Sequence, residues 1–408
     1  MSIAVGGGKP GVQTANRCPN CGNVGMGVFY EVCGAPVNDV VLLFSRREAL
    51  DFPRGDIRLA FCPGCGFISN IAFDPALVEY GSGYEGTQAY SPTFNEFNRK
   101  LAERLVNEYA LRRKDIIEIG CGQGEFLNLL CELGDNRGIG FDPAFVEERD
   151  IYPKHTGARF IADFFSEKYG YLVSDFVCCK QTLEHIQNTE EFIKMIRKTI
   201  GDRPETTVFF QVPDVERILK EGAFWDIFYE HCSYFSVTSL TTLFRRCGFE
   251  VIASRTEYGG QYLMIEARPG DSAVVSDHGE GVARIAQDVE YFSNRYIETI
   301  QSWRASLSEY AKGGHKVVLW GGGSKAVGFL TAVNVSNEIE YVVDINPKKD
   351  GTFLPGSGLG VISPEHLRSY RPGVIVIMNP IYTEEIASQV RSLGLNAELV
   401  PITPISTV

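Results

Sequence analysis

Five methionines, three tryptophans and six histidines are few for 408 residues, and no stretch approaches the ~18 consecutive apolar residues that a membrane span requires. The opening MSIAVGGGKPGVQTANR lacks the apolar segment of a secretory signal. Positive charge is also short: 39 Lys and Arg stand against 51 Asp and Glu, a net charge of −12, which argues against a polyanion such as RNA as the main partner. The expectation is a cytoplasmic protein with no membrane and no nucleic-acid partner. With 44% hydrophobic, 12% aromatic and 22% charged residues, neither disorder nor a collagen-like repeat fits. The length allows two to four domains.

Eleven cysteines are an odd number in a chain without an export signal, so metal ligation or burial is expected rather than a disulfide framework. Cys18-Pro19-Asn20-Cys21-Gly22 and Cys62-Pro63-Gly64-Cys65-Gly66 form two C-P-x-C-G knuckles. Together they supply four thiolates for a tetrahedral Zn2+ site, and a site filled by protein on all four sides is structural. Cys33, Cys121, Cys131, Cys178, Cys179, Cys232 and Cys247 have no such spacing and read as buried small hydrophobes.

The chain divides as follows. Residues 1–72 hold a Gly-rich tail to about residue 15 and the cysteine module, with strand-like pieces NDVVLLF and IRLAFC. Residues 73–114 form a connector in which Phe94, Phe97, Leu101, Leu105 and Tyr109 recur at helical spacing over 93–112. Over 115–269 apolar runs alternate with helical stretches: DIIEIG, RGIGFD, ARFIAD, DFVCCKQ, TVFFQVP, FEVIASRTEYG and YLMIEARP. That alternation predicts a doubly wound α/β sheet. Residues 270–314 read as a linker and a long helix. Residues 315–408 repeat the α/β pattern, with strands KVVLWG, IEYVVD and GVIVIM.

Between a predicted strand and a predicted helix lies Glu118-Ile119-Gly120-Cys121-Gly122-Gln123-Gly124, where the backbone must pass close to a ligand. Its G-x-G-x-G order differs from the G-x-G-x-x-G of dinucleotide folds. Asp142 ends the next strand, where a carboxylate can accept ribose hydroxyls, and Asp163 ends the one after, placed for an adenine amino group. The set resembles the class I S-adenosylmethionine-dependent methyltransferases, whose glycine motif is E-x-G-x-G-x-G. With cysteine knuckles before this core and a second α/β unit after it, the whole chain resembles the three-domain C-methyltransferases of deoxysugar biosynthesis, which act on nucleotide-linked 4-keto sugars. The resemblance implies a class I Rossmann-like core, a small N-terminal zinc module and a C-terminal Rossmann-like domain. It also implies S-adenosylmethionine and zinc as cofactors, a small-molecule substrate, and a monomer or homodimer.

After the fifth strand of that core comes Phe228-Tyr229-Glu230-His231, followed by Tyr234-Phe235-Ser236. The resembled family carries Y-H-E-H here, then an aromatic pair and Ser, and its last His is regarded as the base. Phe228 stands where the family has Tyr, and Tyr229 where it has His. On this reading His231 removes the proton next to the ketone, Tyr229 donates to the ketone oxygen, and Glu230 orients the site. His185, in Thr182-Leu183-Glu184-His185, matches a family His after the fourth strand. Tyr80, Tyr84 and Tyr90 match loosely a tyrosine-rich substrate lid.

The second loop, Gly321-Gly322-Gly323-Ser324-Lys325-Ala326, fits G-x-G-x-x-A, and Asp344 lies 23 residues beyond Gly321. Alone it would suggest NAD. The continuation to Gly356 resembles the C-terminal domain of the sugar methyltransferases, where Ser324 and Lys325 would bind substrate phosphate at a helix N-terminus. Alternatives kept open are an O- or N-methyltransferase, an RNA methyltransferase using the zinc module as a ribbon, and an NAD-dependent oxidoreductase.

Overall fold

The computed structural model describes residues 17–81, 83–147, 157–270, 279–335 and 337–403; the expected Gly-rich tail and nearly all of the linker before residue 279 lie outside them. The two knuckles fold identically. Gly22 and Gly66, with φ of +77° and +74°, donate their N–H groups to the carbonyls of Cys18 and Cys62. Only glycine takes that turn without strain. Strands β1 (Gly27–Pro36) and β2 (Arg54–Phe61) pair antiparallel across the short helix α1 (Arg46–Leu50), and β3 (Ile68–Asn70) extends the sheet. The expected strand NDVVLLF does not form. Leu42 donates to the Gly83 carbonyl and Glu85 to that of Val40, so this apolar run pairs with the tyrosine-bearing segment instead of joining the sheet. Cys33 is exposed on β1, unlike the other non-knuckle cysteines.

Helix α2 (Pro92–Glu108) is capped by Ser91 and buries Phe94, Leu101 and Leu105; it stops short of the expected residue 112. Then follow β4 (Asp115–Ile119), α3 (Glu125–Gly134), β5 (Arg137–Phe141), β6 (Ala158–Ile161), β7 (Phe176–Lys180), α4 (Thr189–Ile200), β8 (Thr207–Pro213) and α5 (Val215–Glu221). Strand β9 (Ser233–Tyr234) pairs with β3, adding this part of the chain to the N-terminal sheet. Helix α6 (Val237–Arg246) and strands β10 (Phe249–Glu257) and β11 (Tyr262–Pro269) complete a seven-stranded sheet of order β10-β11-β8-β7-β4-β5-β6, parallel from β8 to β6 and antiparallel at β10 and β11. Strand alternation sorts the core. Ile116, Phe176, Cys178 and Phe209 pack with Leu101 and Leu127 of α2 and α3. Ile117, Val177, Val208 and Phe210 pack with Ile193, Ile196, Leu240 and Phe244 of α4 and α6. This is the class I methyltransferase core.

Helix α7 (Gly279–Lys312) leads to β12 (Val317–Trp320), α8 (Ser324–Val333), β13 (Ile339–Val343), β14 (Gly360–Ile362), β15 (Val374–Ile377) and β16 (Glu398–Pro401). These strands form a parallel sheet of order β14-β13-β12-β15-β16. One apolar cluster joins the N-terminal sheet, the turn after α5, helix α7 and the C-terminal domain: Tyr30 and Ile57, Trp225 and Ile227, Phe292 and Trp303, Val317 and Phe329. Each such large side chain contributes roughly 1.5–3 kcal/mol on burial. Both parallel sheets reverse their winding beside the central strand, β4 against β7 and β12 against β15, and open α/β sheets hold ligands at such points. Among the described residues, no helix is long and apolar enough to cross a membrane.

Candidate active site between two glycine loops

Residues after both central strands line one cavity of about 890 Å3. On the β4 side, Gly120, Gly122 and Gly124 all have positive φ. A Cβ at Gly120 would lie 1.9 Å from Thr182 Oγ1, so this turn excludes any side chain. Asp142 holds the loop: its Oδ2 accepts from the Gly122 N–H at 2.8 Å and its Oδ1 from the Ala144 N–H at 2.8 Å. Burial raises its carboxyl while these two donors oppose the rise. Asp163 also lines the cavity, with Oδ1 bound to its neighbour's N–H (Phe164) and Oδ2 to the Tyr169 hydroxyl and Lys168. Lys168 chiefly holds that carboxyl below its usual range. Glu118 is buried, its Oε2 has no partner, and burial pushes it up to about 8.

At the opposite end stands His231, with Phe228 and His185 packed edge-on against its ring at centroid distances of 4.9 and 4.7 Å. Its Nδ1 has no hydrogen-bond partner. Desolvation, and then the neighbouring His185, press its pKa well below 6.5, so the imidazole is neutral at neutral pH with a lone pair to offer. His185 Nδ1 lies 2.8 Å from the Tyr80 hydroxyl and 3.7 Å from Glu230 Oε2. Burial lowers the His185 pKa, partly offset by Glu230. Glu230 is 1% exposed and sits behind these groups: it accepts from the Asp39 N–H at 3.0 Å and the Tyr84 hydroxyl at 3.1 Å.

Tyr229 does not reach the cavity, contrary to its expected place beside a ketone. Its ring lies on Gly55, where a Cβ would come within 2.2 Å, and its hydroxyl accepts from the Asp74 N–H at 2.9 Å. The backbone turns Phe228 inward instead. Of the phenols that line the cavity, Tyr80 meets His185 and Tyr84 packs edge-on against Tyr80, while Tyr90 lines the cavity with burial raising its pKa.

The second glycine loop repeats the first device. Asp344 Oδ2 accepts from the Gly322 N–H at 2.9 Å and Oδ1 from the Asn346 N–H at 2.8 Å. Here Lys349 Nζ also binds the Gly322 carbonyl at 3.0 Å and lies 3.4 Å from Asp344 Oδ2. An ammonium thus occupies the carboxylate that a dinucleotide fold offers to ribose, which removes the basis for an NAD reading of this loop. Ser324 and Lys325 face the cavity, and Lys325 pairs with Asp226, as does Arg217.

Sequence reasoning missed Asp226, Arg217, Lys180 and Asp39. Asp226 lay within reach, five residues before His231, and Lys180 is the one charged residue in the strand FVCCK. Glu184 was quoted only as part of its motif. It is buried, has an unpartnered Oε2 and is pushed up to about 8 by burial.

Away from the cavity, the four knuckle sulfurs converge, with every pair of ligand atoms within 4.8 Å. Cys18 Sγ is 3.8 Å from Cys65 Sγ, Cys21 Sγ is 3.7 Å from Cys62 Sγ, and Asn20 Nδ2 lies 3.6 Å from the Cys65 sulfur. Four convergent soft donors fit Zn2+ with no coordination position left over.

Residues 94–254 match a methyltransferase domain family and residues 275–402 match the C-methyltransferase C-terminal domain family. The C-methyltransferase NovU of Streptomyces niveus is 27% identical over 310 residues, covering 71% of this chain and 72% of its own. A ribosomal RNA small subunit methyltransferase A of Mesomycoplasma hyopneumoniae is 27% identical over 124 residues, 26% of this chain and 46% of that protein. Among solved structures, the magnesium protoporphyrin IX methyltransferase of Synechocystis with bound SAH aligns at a TM-score of 0.35 and 15% identity, covering 44% of this chain and 84% of that one. The chain thus carries a methyltransferase domain over residues 94–254, followed by a C-methyltransferase C-terminal domain over residues 275–402.

Proposed function

We propose that the protein methylates the carbon next to the ketone of a nucleotide-linked 4-keto-deoxysugar, using S-adenosylmethionine. The observation that carries this reading is a neutral imidazole with an open Nδ1, on His231, facing a cavity bounded by two glycine loops. The glycine loop after β4, Asp142 and Asp163 would hold the nucleoside of the donor, which supplies an electrophilic methyl group and departs as a thioether. His231 accepts the proton from the carbon next to the ketone, and the electron pair of that C–H bond becomes the enolate that forms the new C–C bond. The Tyr80–His185 pair supplies a donor for the developing oxyanion. Glu230, held by the Asp39 N–H and the Tyr84 hydroxyl, orients His185 rather than meeting substrate. Ser324 and Lys325, at the N-terminus of α8, would face the nucleotide's phosphates. The four-cysteine cluster would hold structural Zn2+. The relative NovU, a C-methyltransferase by name, supports transfer to carbon.

The test is mass spectrometry with S-adenosylmethionine and a panel of nucleotide-linked 4-keto-6-deoxysugars in D2O. Methyl gain, with deuterium entering unreacted substrate, is the expected result. If the protein binds the donor yet gives neither signal with any sugar, the acceptor assignment fails.

A further inference from the structure

Glu184 and His185 sit on the short turn after β7, and His231 lies on the segment that leads into β9. Two contacts stitch these segments together: Ser233 Oγ donates to the Ile186 carbonyl at 2.7 Å, and Cys232 Sγ lies 3.6 Å from the Glu184 carbonyl. As a result, one ligand atom from each of Glu184, His185 and His231 comes within 4.8 Å of the other two, and all three residues line the cavity. Two of them carry buried polar atoms, Glu184 Oε2 and His231 Nδ1, that meet no hydrogen-bond partner among the described residues. Glu184 is 2% exposed, so its open oxygen is a desolvated group lacking the partner that such atoms ordinarily have.

The three ligands determine what fits between them. Two imidazoles and a carboxylate form a set that transition ions take, whereas Mg2+ and Ca2+ ask for oxygen alone. The support behind them is of the kind that metal-bound histidines have. His185 Nδ1 meets the Tyr80 hydroxyl at 2.8 Å and lies 3.7 Å from Glu230 Oε2, which fixes the ring and leaves Nε2 for an ion. We infer that Glu184, His185 and His231 form a second metal site, which takes an exchangeable divalent transition ion such as Zn2+ or Co2+. Three protein ligands leave coordination positions open toward the cavity, unlike the closed four-cysteine cluster. An ion held there takes the His231 lone pair, so it withholds the base and acts as a reversible inhibitor. The site itself is independent of the proposed reaction; only its inhibitory effect rests on His231 as the base.

Protein carrying zinc in its cysteine cluster and dialysed free of other ions would be titrated with Co2+ and followed by visible absorption. The expected result is one further equivalent of Co2+, with ligand-field bands but without the near-ultraviolet charge transfer that thiolate ligation produces. Glu184→Gln and His231→Asn should each weaken that binding by more than about tenfold, and excess Mg2+ should not compete. Should Glu184→Gln not fold, His185→Gln takes its place with the same expectation. No Co2+ beyond the cysteine-held zinc, thiolate charge transfer, or undiminished binding in the variants overturns the site. With an acceptor that turns over, Co2+ should lower the rate in step with its occupancy, and a chelator should restore it. Full turnover with the ion bound would overturn His231 as the base and leave the site standing.

Discussion

Lys325, in the first turn of α8, pairs with Asp226, on the turn that leads to His231. Arg217 of α5 pairs with the same carboxylate. Against burial, which would raise it, Lys325 and Arg217 hold the Asp226 carboxyl at about 2. The C-terminal sheet thus fixes the segment carrying His231. Asp226→Asn would leave the enclosed Lys325 without its anion and Arg217 with Glu221 alone, and should cost about 3–5 kcal/mol, read by chemical denaturation. Because the folded pKa lies below the unfolded value near 3.9, the pair's stabilisation is present above about pH 4 and fades as pH falls toward 2. Equal stability of wild type and Asp226→Asn at pH 7 would show that the interface does not depend on this carboxylate.

Tyr229 and Tyr84 should separate cleanly. Tyr229→Phe removes the hydroxyl that accepts from the Asp74 N–H and donates to the Asp74 carbonyl, and a loss of about 0.5–1.5 kcal/mol with near-normal turnover is expected. Tyr84→Phe releases Glu230 Oε2 and should lower kcat with unchanged affinity for S-adenosylhomocysteine. A collapse of turnover in Tyr229→Phe would return that phenol to the chemistry.

His231 is expected to act as base with an apparent pKa below 6.5, so kcat/KM should stay level from pH 7 to below 6.5 before falling on the acid side. His231→Asn should reduce turnover by about 10²- to 10⁴-fold while sparing cofactor binding. The same depressed values link to folding: His185 and His231 bind protons more weakly folded than unfolded, so stability contributed above about pH 6.5 is lost as pH falls below it. An acid limb centred at or above pH 7 would contradict the enclosure of His231.

Zinc should be present at one ion per chain by elemental analysis, and Cys62→Ser should lose it. Cys62 stands next to β2, which packs with Tyr30 and Trp225 in the shared cluster, so the loss should lower thermal stability of the whole chain. Metal-free protein with native stability and full activity would sink the structural assignment.

Much of this was legible because burial writes itself into sequence. The strands of the core announce themselves as apolar runs, the glycine loops need φ values that other residues resist, and cysteine spacing survives the 40 residues between the knuckles. What was illegible depended on direction and distance. Nothing local tells Tyr229 to turn onto Gly55 and Phe228 to turn inward. Nothing near Lys325 predicts Asp226, 99 residues away. NDVVLLF has a strand's composition but a partner that only the tertiary fold provides. Strands β14 and β16, of three and four residues, are too short to show any period.

The N-terminal module is also sewn to the far end of the chain: Phe353 donates to the Leu43 carbonyl, Gly356 to that of Ala49, and Arg54 to the Gly356 carbonyl across 302 residues. A ribosome adds about 5–20 residues per second. The first module to emerge therefore waits roughly 15–60 s for its last docking partner, with the apolar side of β1 and β2 uncovered meanwhile. A metal that ties the knuckles early would keep that waiting sheet from pairing with its neighbours on the polysome.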